Sequence, residues 1–453
     1  MSFSSIIFCF IFLPIVVSLY FIIPKKLKNI YLLLASILFY SYSGIFYTII
    51  LLIIVLYNYI SVRIMNKLEG KRRTGKLIEI LIINIFTLCY FKYYYMILNN
   101  VFTDISFKEI ILPLGMSFYL FTVLSYIIDV YRKNIKSEHN FISFSLYILF
   151  FPKLVMGPIV RYSDFNKQID NHDFDNSLFN YGFKRFIIGL SMKVILADTF
   201  ARIISSYQVS SMLGSIVIII LYSLQIYYDF AGYTNMALGL SNVFGFKLPE
   251  NFDYPYLSKS VGEFFRRWHI ILGKWFRDYV YIPLGGSRVS KLRLVMNLLI
   301  VWLLTGMWHG ASLNFIIWGL FLGIIIVMEK LLLSKIKIPK IISIPFTFII
   351  ISISWIFFFN SNASDITLIL KNLININNFM DDKIIFIIRN NFIYLIIGLI
   401  CITPLIKILG ERFQTKNNYI YNVCNNIYLI ILLIISTAYL ISNSYQTFLY
   451  FNF

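Results

Sequence analysis

One histidine stands inside a long apolar stretch that contains no other titratable side chain. His309 is the only such residue in 294–328, and it lies in the sequence TGMWHGAS, residues 305–312. Ionisable groups are costly in hydrocarbon and tend to line internal cavities or reaction paths, so this residue marks a candidate functional site. A neutral imidazole can take a proton from an attacking hydroxyl group, which makes general-base catalysis the chemistry to consider for His309.

The apolar run that carries His309 cannot be one ordinary membrane span. It exceeds the roughly 20 residues that one span needs and is too short for two. A break is favoured by three small residues, Gly306, Gly310 and Ser312. We therefore expect a broken helix over 294–333, and irregular backbone at membrane depth is tolerated only inside protein or beside a water-filled cavity. The alternative is a histidine that packs between helices and bonds to a neighbouring carbonyl.

The segment 258–290 is too charged to cross lipid, yet it has the periodicity of an amphipathic helix. At about 100° per residue its apolar side chains share one arc, and most of its charges lie outside that arc. The arc contains Phe264, Phe265, Trp268, Ile271, Leu272, Trp275, Phe276 and Tyr279. We expect an interfacial or re-entrant amphipathic helix, with His269 at the edge of the arc and facing either water or a cavity. An ordinary interfacial connector is the alternative.

Asp229 is a second charge in apolar surroundings, within the run 213–240. A carboxylate near the centre of a membrane helix costs about 2.5 to 3.5 kcal/mol on insertion, so it needs a partner. Gln225 shares a helical face with Asp229 by its four-residue spacing. We expect a structural ion pair or hydrogen bond with Arg266 or Arg267 in preference to direct chemistry, and all four residues remain substrate-binding candidates.

The composition places these residues in a polytopic membrane protein. The 453 residues are 59% hydrophobic and 13% charged, and their mean hydropathy is +0.77, unlike a soluble domain. The formal net charge of +19 does not indicate nucleic acid binding, because the basic residues are spread over short loops, where they set orientation. The four cysteines stand singly without metal-ligand spacing, so we predict no metal site.

The apolar segments of the sequence predict about 11 to 13 helical elements. No loop between them is long enough for a folded extramembrane domain. Residues 1–453 are therefore expected to form a single all-α membrane domain, with the uncharged residues 1–24 as a retained first span. Basic residues at 25–28 and 67–76 place both loops on the cytoplasmic side, with a helical hairpin that turns at 41–44. The same rule places Asp104, Glu109 and the N-terminus outside.

Several longer motifs resemble the membrane-bound O-acyltransferase family, in the branch of the alginate O-acetyltransferase membrane subunit. They are LPLGMSFY (112–119), FPKLVMGPIVRY (151–162), QIYYDFAGY (225–233), RRWH (266–269), WFRDYVYIPLGG (275–286) and WHGA (308–311). The resemblance extends over roughly residues 20 to 445. It implies a funnel-like helical core in which His309 matches the active-site histidine and His269 matches a second family histidine.

The resemblance also implies acyl transfer from a cytoplasmic donor such as acetyl-CoA, used as a substrate and not as a bound cofactor. The acceptor would be a polysaccharide outside the membrane, either alginate-like, another exopolysaccharide or peptidoglycan. The resemblance further implies a separate extracytoplasmic acetyltransferase as a partner, and the sequence itself shows only that no segment can house a second catalytic domain. D-alanyl transfer to teichoic acid and acylation of a lipid or protein remain open alternatives within the family.

The acyl group of a thioester is already activated, so the missing component is a base that deprotonates the attacking hydroxyl group. An imidazole with an unperturbed pKa of about 6.5 suits that task, and burial favours its neutral form. Donors to the carbonyl oxygen could be Trp308, Ser312 or Asn314, and the sequence does not decide among them. The competing class is an ion-coupled transporter whose ion path includes Asp229 and His309.

Overall fold

The computed structural model describes residues 1–101, 110–170, 172, 175–332, 336, 338–359, 362–442, 448 and 449. Asp104, Glu109 and the last residue of the predicted broken helix, 333, lie outside this set. The described residues form α-helices with short π and 3₁₀ turns and one isolated β-bridge. The predicted all-α class is confirmed.

The first half of the chain contributes eleven of the described helices. They are α1 (Leu13–Ile22), α2 (Lys28–Ser41), α3 (Ile45–Lys67), α4 (Gly70–Val101), α5 (Met116–Tyr131), α6 (Phe141–Leu149), α7 (Phe151–Leu154), α8 (Tyr162–Ile169), α9 (Asn176–Ser191), α10 (Asp198–Ser206) and α11 (Met212–Val243). A π-helix, Phe8–Phe12, runs into α1, and another, Met192–Ala197, joins α9 to α10. The predicted turn at 41–44 is confirmed, because α2 ends at Ser41 and α3 begins at Ile45.

Nine further helices follow residue 250 in the described part of the chain. They are α12 (Val261–Arg267), α13 (Ile270–Phe276), α14 (Lys291–His309), α15 (Leu313–Leu331), α16 (Lys340–Phe359), α17 (Ala363–Leu373), α18 (Asp382–Cys401), α19 (Leu405–Lys416) and α20 (Asn418–Ser442). The apolar run 391–408 does not form one helix, because the chain breaks after Cys401 and α19 starts behind Pro404. Proline is suited to a helix start and not to a helix interior.

Eight of the described helices are long and apolar enough to cross a membrane: α3, α4, α11, α14, α15, α16, α18 and α20. Two shorter apolar helices span Phe8–Ile22 and Met116–Tyr131. Large apolar side chains remain exposed along many of these helices, as lipid-facing surfaces require. The chain is a multi-pass membrane protein.

The contacts within the chain form two compact units. The first contains residues 1–186 and 233–250, and the second contains residues 187–232 and 251–453. The first unit has a core of buried aromatic rings around Phe3, Phe8 and Phe151. The second unit contains both histidines that the sequence analysis singles out.

In the second unit, α14 and α15 form a closely packed helix pair with His309 at the end of α14. A β-carbon on Gly306 would lie 2.4 Å from the carbonyl oxygen of Phe315, and one on Gly319 would lie 2.4 Å from that of Trp302. Only residues without a side chain allow the two backbones to approach so closely. Three residues, 310–312, separate the two helices, and the backbone is extended at Gly310 and Ser312.

The segment 258–290 is not the single helix that its periodicity suggests. It divides into α12 and α13, because His269 between them adopts a left-handed conformation with φ of +47°. An antiparallel bridge between Phe252 and Trp268 holds this break. The predicted apolar arc is nevertheless buried, except for the half-buried Phe265. A projection onto an ideal helix cannot detect a break that a distant backbone segment imposes.

Candidate active site

A cavity of about 1300 Å³ lies within the second unit, and both His269 and His309 line it. The two side chains are buried, with 3% and 5% of their surface exposed. Other lining positions carry exposed cationic side chains, Lys259, Arg266, Lys274, Arg277 and Lys330. The wall of this cavity therefore includes both buried imidazoles and solvent-accessible positive charge.

His309 lies within a cluster of aromatic rings at the end of α14. Its ring centroid is 5.0 Å from that of Trp308, 5.0 Å from that of Trp318 and 5.2 Å from that of Phe358. All three contacts are edge-on, an arrangement that aromatic quadrupoles favour. The α14 helix ends here because Gly310 is extended, and Ser312 starts α15 by accepting the N–H of Asn314 at 3.1 Å. The ring is thus fixed by packing on several sides.

His269 is positioned by backbone pairing on both sides of the break between α12 and α13. Ile270 N–H donates to the carbonyl of Asn251 at 3.0 Å, and Asp253 N–H donates to that of Arg267 at 2.9 Å. The imidazole packs edge-on against Phe230, with centroids 4.8 Å apart. Burial lowers the pKa of His269 to about 3, because an apolar environment disfavours the charged form. The ring is therefore neutral at physiological pH.

The indole ring of Trp308 contacts the imidazoles of both His269 and His309. Its ring centroid is 5.0 Å from that of His309 and 5.8 Å from that of His269. Trp308 is buried, and the described lining residues of the cavity do not include it. It therefore supports the two imidazoles from behind the cavity wall.

Glu329 links the cavity wall to the start of α12. Its carboxylate accepts the N–H groups of Val261 and Gly262 at 2.5 and 2.9 Å, two of the donors that a helix start leaves without a partner. Ser260 accepts the N–H of Glu263 at 3.0 Å in the same turn. These bonds fix α12 against the end of α15, and both helices contribute cationic residues to the cavity.

The predicted partner of Asp229 is wrong. Asp229 is buried and pairs with Lys193 at 2.6 Å, and Lys193 also contacts Asp198 at 2.7 Å. Arg267 instead pairs with Glu263 at 2.8 Å along α12. The prediction of a structural ion pair is thus correct in kind, but a lysine in the π-helix after α9 supplies the cation.

Of the four remaining predicted site residues, one lines the cavity and three are not among its described lining residues. Arg266 lines the cavity together with His269 and His309. Ser312 and Asn314 take part in the cap of α15, and Gln225 is buried on α11. None of these three is among the described lining residues of the cavity.

Two further side chains of this region carry no signal in the sequence. Asn251 is fully buried, and its Oδ1 lies 3.2 Å from Nδ1 of His269. Trp318 lines the cavity beside His309, and its indole N–H is buried with no hydrogen-bond partner in the described part of the chain. Only the pairing of residues 251–253 with 267–270 and the packing of α15 against α14 reveal these positions.

A comparison with known protein families matches residues 32–363 to MBOAT, the membrane-bound O-acyltransferase family. The chain belongs to this family. Because members of this family are O-acyltransferases, the chain is an O-acyltransferase and not the ion-coupled transporter of the competing prediction. The match includes both cavity histidines.

Individual relatives of this O-acyltransferase are bacterial. The chain is 36% identical to the probable alginate O-acetylase AlgI of Pseudomonas aeruginosa over 379 residues, 79% of this chain and 72% of the relative. It is 33% identical to the peptidoglycan O-acetyltransferase of Helicobacter pylori over 423 residues, 83% and 80% of the two chains. It is 30% identical to the teichoic acid D-alanyltransferase of Streptococcus thermophilus over 247 residues, 49% and 58% of the two chains.

Proposed function

We propose that this O-acyltransferase takes an acetyl group from a cytoplasmic thioester, acetyl-CoA, and passes it across the membrane for O-acetylation of a cell-surface or extracellular polysaccharide. The observation that carries the proposal is the cavity in which His309 and His269 are buried while cationic side chains are exposed. The relatives named for O-acetyl transfer to alginate and to peptidoglycan support the acyl group and the acceptor class.

The donor end of the cavity is its cationic part. Five exposed lysine and arginine side chains line it, and clustered positive charge attracts and orients phosphate groups. Lys330 lies at the end of α15, and Lys291 begins α14. Basic helix ends favour the cytoplasmic face. A phosphate-bearing donor would therefore enter from the cytoplasm and extend its thioester towards the histidines.

One face of α14 leads from this region to His309. Leu298, Val301, Trp302, Thr305 and His309 all line the cavity, and their spacing places them on one side of the helix. His309 follows Leu298 by eleven positions, which corresponds to about 16 Å along the helix axis. The long arm of an acyl-CoA could follow this stripe and present its carbonyl carbon at the imidazole.

In the proposed step, His309 accepts the proton of the acceptor hydroxyl while the oxygen attacks the thioester carbonyl carbon. The carbon–sulfur bond then breaks, and the imidazolium returns the proton to the departing thiolate, which leaves an ester and a free thiol. General-base catalysis of this kind contributes about 10²- to 10⁴-fold to the rate. The indole N–H of Trp318, which lines the cavity beside His309, is a candidate donor to the carbonyl oxygen.

The proposal includes an orientation and a partner. The N-terminus would lie outside the cytoplasmic membrane of a bacterial cell, and a separately encoded extracytoplasmic acetyltransferase would complete the transfer to polymer. Reporter fusions at residue 1 test the orientation. Co-purification in mild detergent tests the partner, and full activity of this chain alone on polysaccharide would refute it.

The decisive experiment is His309→Ala in cells that express the chain with its polymer. Ester-linked acetate on the polysaccharide is expected to fall by at least 100-fold, while the amount of protein in the membrane is unchanged. His139→Ala is the matched control, because the side chain of His139 is exposed and lies outside the cavity. Retained acetylation in His309→Ala would refute the role of this residue.

The chemical identity of the product separates the remaining alternatives. Membranes supplied with labelled acetyl-CoA are expected to transfer label to polysaccharide as a base-labile acetyl ester. Label in lipid or protein, or a D-alanyl ester formed from an activated alanine donor, would replace the proposed acceptor or acyl group. The D-alanyl ester is tested because 49% of this chain is similar to a teichoic acid D-alanyltransferase.

A further inference from the structure

Asn251 holds the segment that carries His269 through three hydrogen bonds. Its backbone carbonyl accepts Ile270 N–H at 3.0 Å. Its side-chain Oδ1 lies 3.2 Å from the backbone nitrogen of Ile271 and 3.2 Å from Nδ1 of His269. Asn251 itself is completely buried. The amide is thus shared between the backbone and the imidazole.

The backbone contact fixes which end of the Asn251 amide faces the imidazole. A backbone N–H can only donate, so the atom opposite Ile271 must be the carbonyl oxygen and not the NH₂ group. The same oxygen faces Nδ1 of His269, which must therefore carry a proton in order to donate. A neutral imidazole carries a single proton, so Nε2 is left as an acceptor.

We propose that Asn251 is a positioning residue for acyl transfer, which fixes His269 as the Nδ1–H tautomer and makes its Nε2 a hydrogen-bond acceptor. The inference rests on the proposed function, in which the cavity wall beside His269 and His309 receives the reacting groups. An acceptor at Nε2 suits a substrate hydroxyl or amide N–H. It cannot donate to the developing oxyanion, so that task falls to other groups.

The tautomer can be measured without any substrate. The chain contains four histidines, so selective ¹⁵N-histidine labelling gives few signals, and a His269→Gln variant assigns those of His269. In the wild-type protein at pH 7 we expect a protonated Nδ1 and an unprotonated Nε2. The opposite tautomer, or an even mixture of the two, would overturn the proposal.

Substitutions of Asn251 test its positioning role. Asn251→Leu removes the acceptor, so the Nδ1–H tautomer is expected to disappear and kcat to fall on the order of 10- to 100-fold, the effect typical of losing an orienting partner. Asn251→Asp retains an oxygen for both donors and is expected to keep Nδ1 protonated. Its added charge also stabilises the imidazolium, so the pH at which His269 protonates should rise.

Asn297→Leu is a matched control in the same unit. Asn297 is buried and donates to the carbonyls of Leu284 and Gly286, both at 3.2 Å. This substitution should leave the His269 tautomer unchanged. An unchanged tautomer or kcat in Asn251→Leu would refute the inference, and if that variant does not fold, loss of Nδ1 protonation in Asn251→Asp would do so. If no label from acetyl-CoA reaches polysaccharide while the His269 tautomer depends on Asn251, the proposed function alone fails.

Discussion

Lys193→Met removes the cation that two carboxylates share in the second unit. Lys193 and Asp229 are each 2% exposed, and Asp198 is 15% exposed. Breaking a buried ion pair by removing one partner costs about 3 to 5 kcal/mol, because the remaining charge is left without compensation. Since both carboxylates lose their partner here, we expect a value near the upper end of that range.

Asp229→Asn should be milder than Lys193→Met. Lys193 would keep Asp198 at 2.7 Å, and the amide oxygen could still accept the N–H of Leu449, which now lies 2.8 Å from Asp229. The loss is then that of a charged hydrogen bond, about 1.5 to 3 kcal/mol. In the double variant, Asp229 no longer contributes an uncompensated charge. We therefore expect Lys193→Met/Asp229→Asn to be more stable than Lys193→Met alone.

The assay is the Tm of the purified protein in detergent, measured for both single variants and the double variant as a thermodynamic cycle. Coupled residues deviate from additivity by about 0.5 to 3 kcal/mol. Lys76→Met is the control, because the Lys76–Glu79 pair on α4 is far more exposed and such pairs contribute about 0 to 1 kcal/mol. A wild-type Tm for Lys193→Met, or strictly additive effects, would refute the assigned coupling.

Three further substitutions test the architecture of the site. Gly319→Ala should lower the yield of monodisperse protein, because its β-carbon would lie 2.4 Å from a backbone oxygen of α14. Gly75→Ala is the control and should not lower the yield, because a β-carbon there meets nothing within 4 Å. Equal elution profiles of the two variants would contradict this expectation. Trp318→Ala should open the wall beside His309 and raise the kcat/KM ratio of butyryl over acetyl donors about 10-fold or more, and an unchanged ratio would show that Trp318 does not limit acyl size. Glu329→Gln should lower stability by about 0.5 to 2 kcal/mol through a weaker cap on α12, which an unchanged Tm would exclude.

The helical elements were predictable because hydropathy and backbone preference are local. Gly44 before α3 and Gly310 after α14 mark real breaks. The division of 258–290 was not predictable, because its apolar residues keep helical spacing across the break at His269. The conformation there depends on residues 251–253, whose pairing with 267–270 is a tertiary contact.

The candidate site also has one residue that the sequence reveals and several contacts that it does not. His309 stands out in the sequence because a titratable group in an apolar run is costly wherever the helices pack. The partners of Asp229 and His269 do not stand out. Arginines at 266 and 267 were plausible for Asp229, but Lys193, 36 residues away in the chain, occupies the position.

The sequence by itself determined that the chain is an all-α membrane protein and that His309 is an ionisable residue in an otherwise apolar run. It also determined which motifs the chain shares with O-acyltransferases. These properties follow from composition, periodicity and local order, which any packing of the helices preserves. Only the tertiary structure decided that His309 and His269 share one cavity, that Asn251 faces the imidazole of His269, and that Lys193 neutralises Asp229. Such pairings depend on distances between elements, and a linear pattern of residue types does not contain those distances.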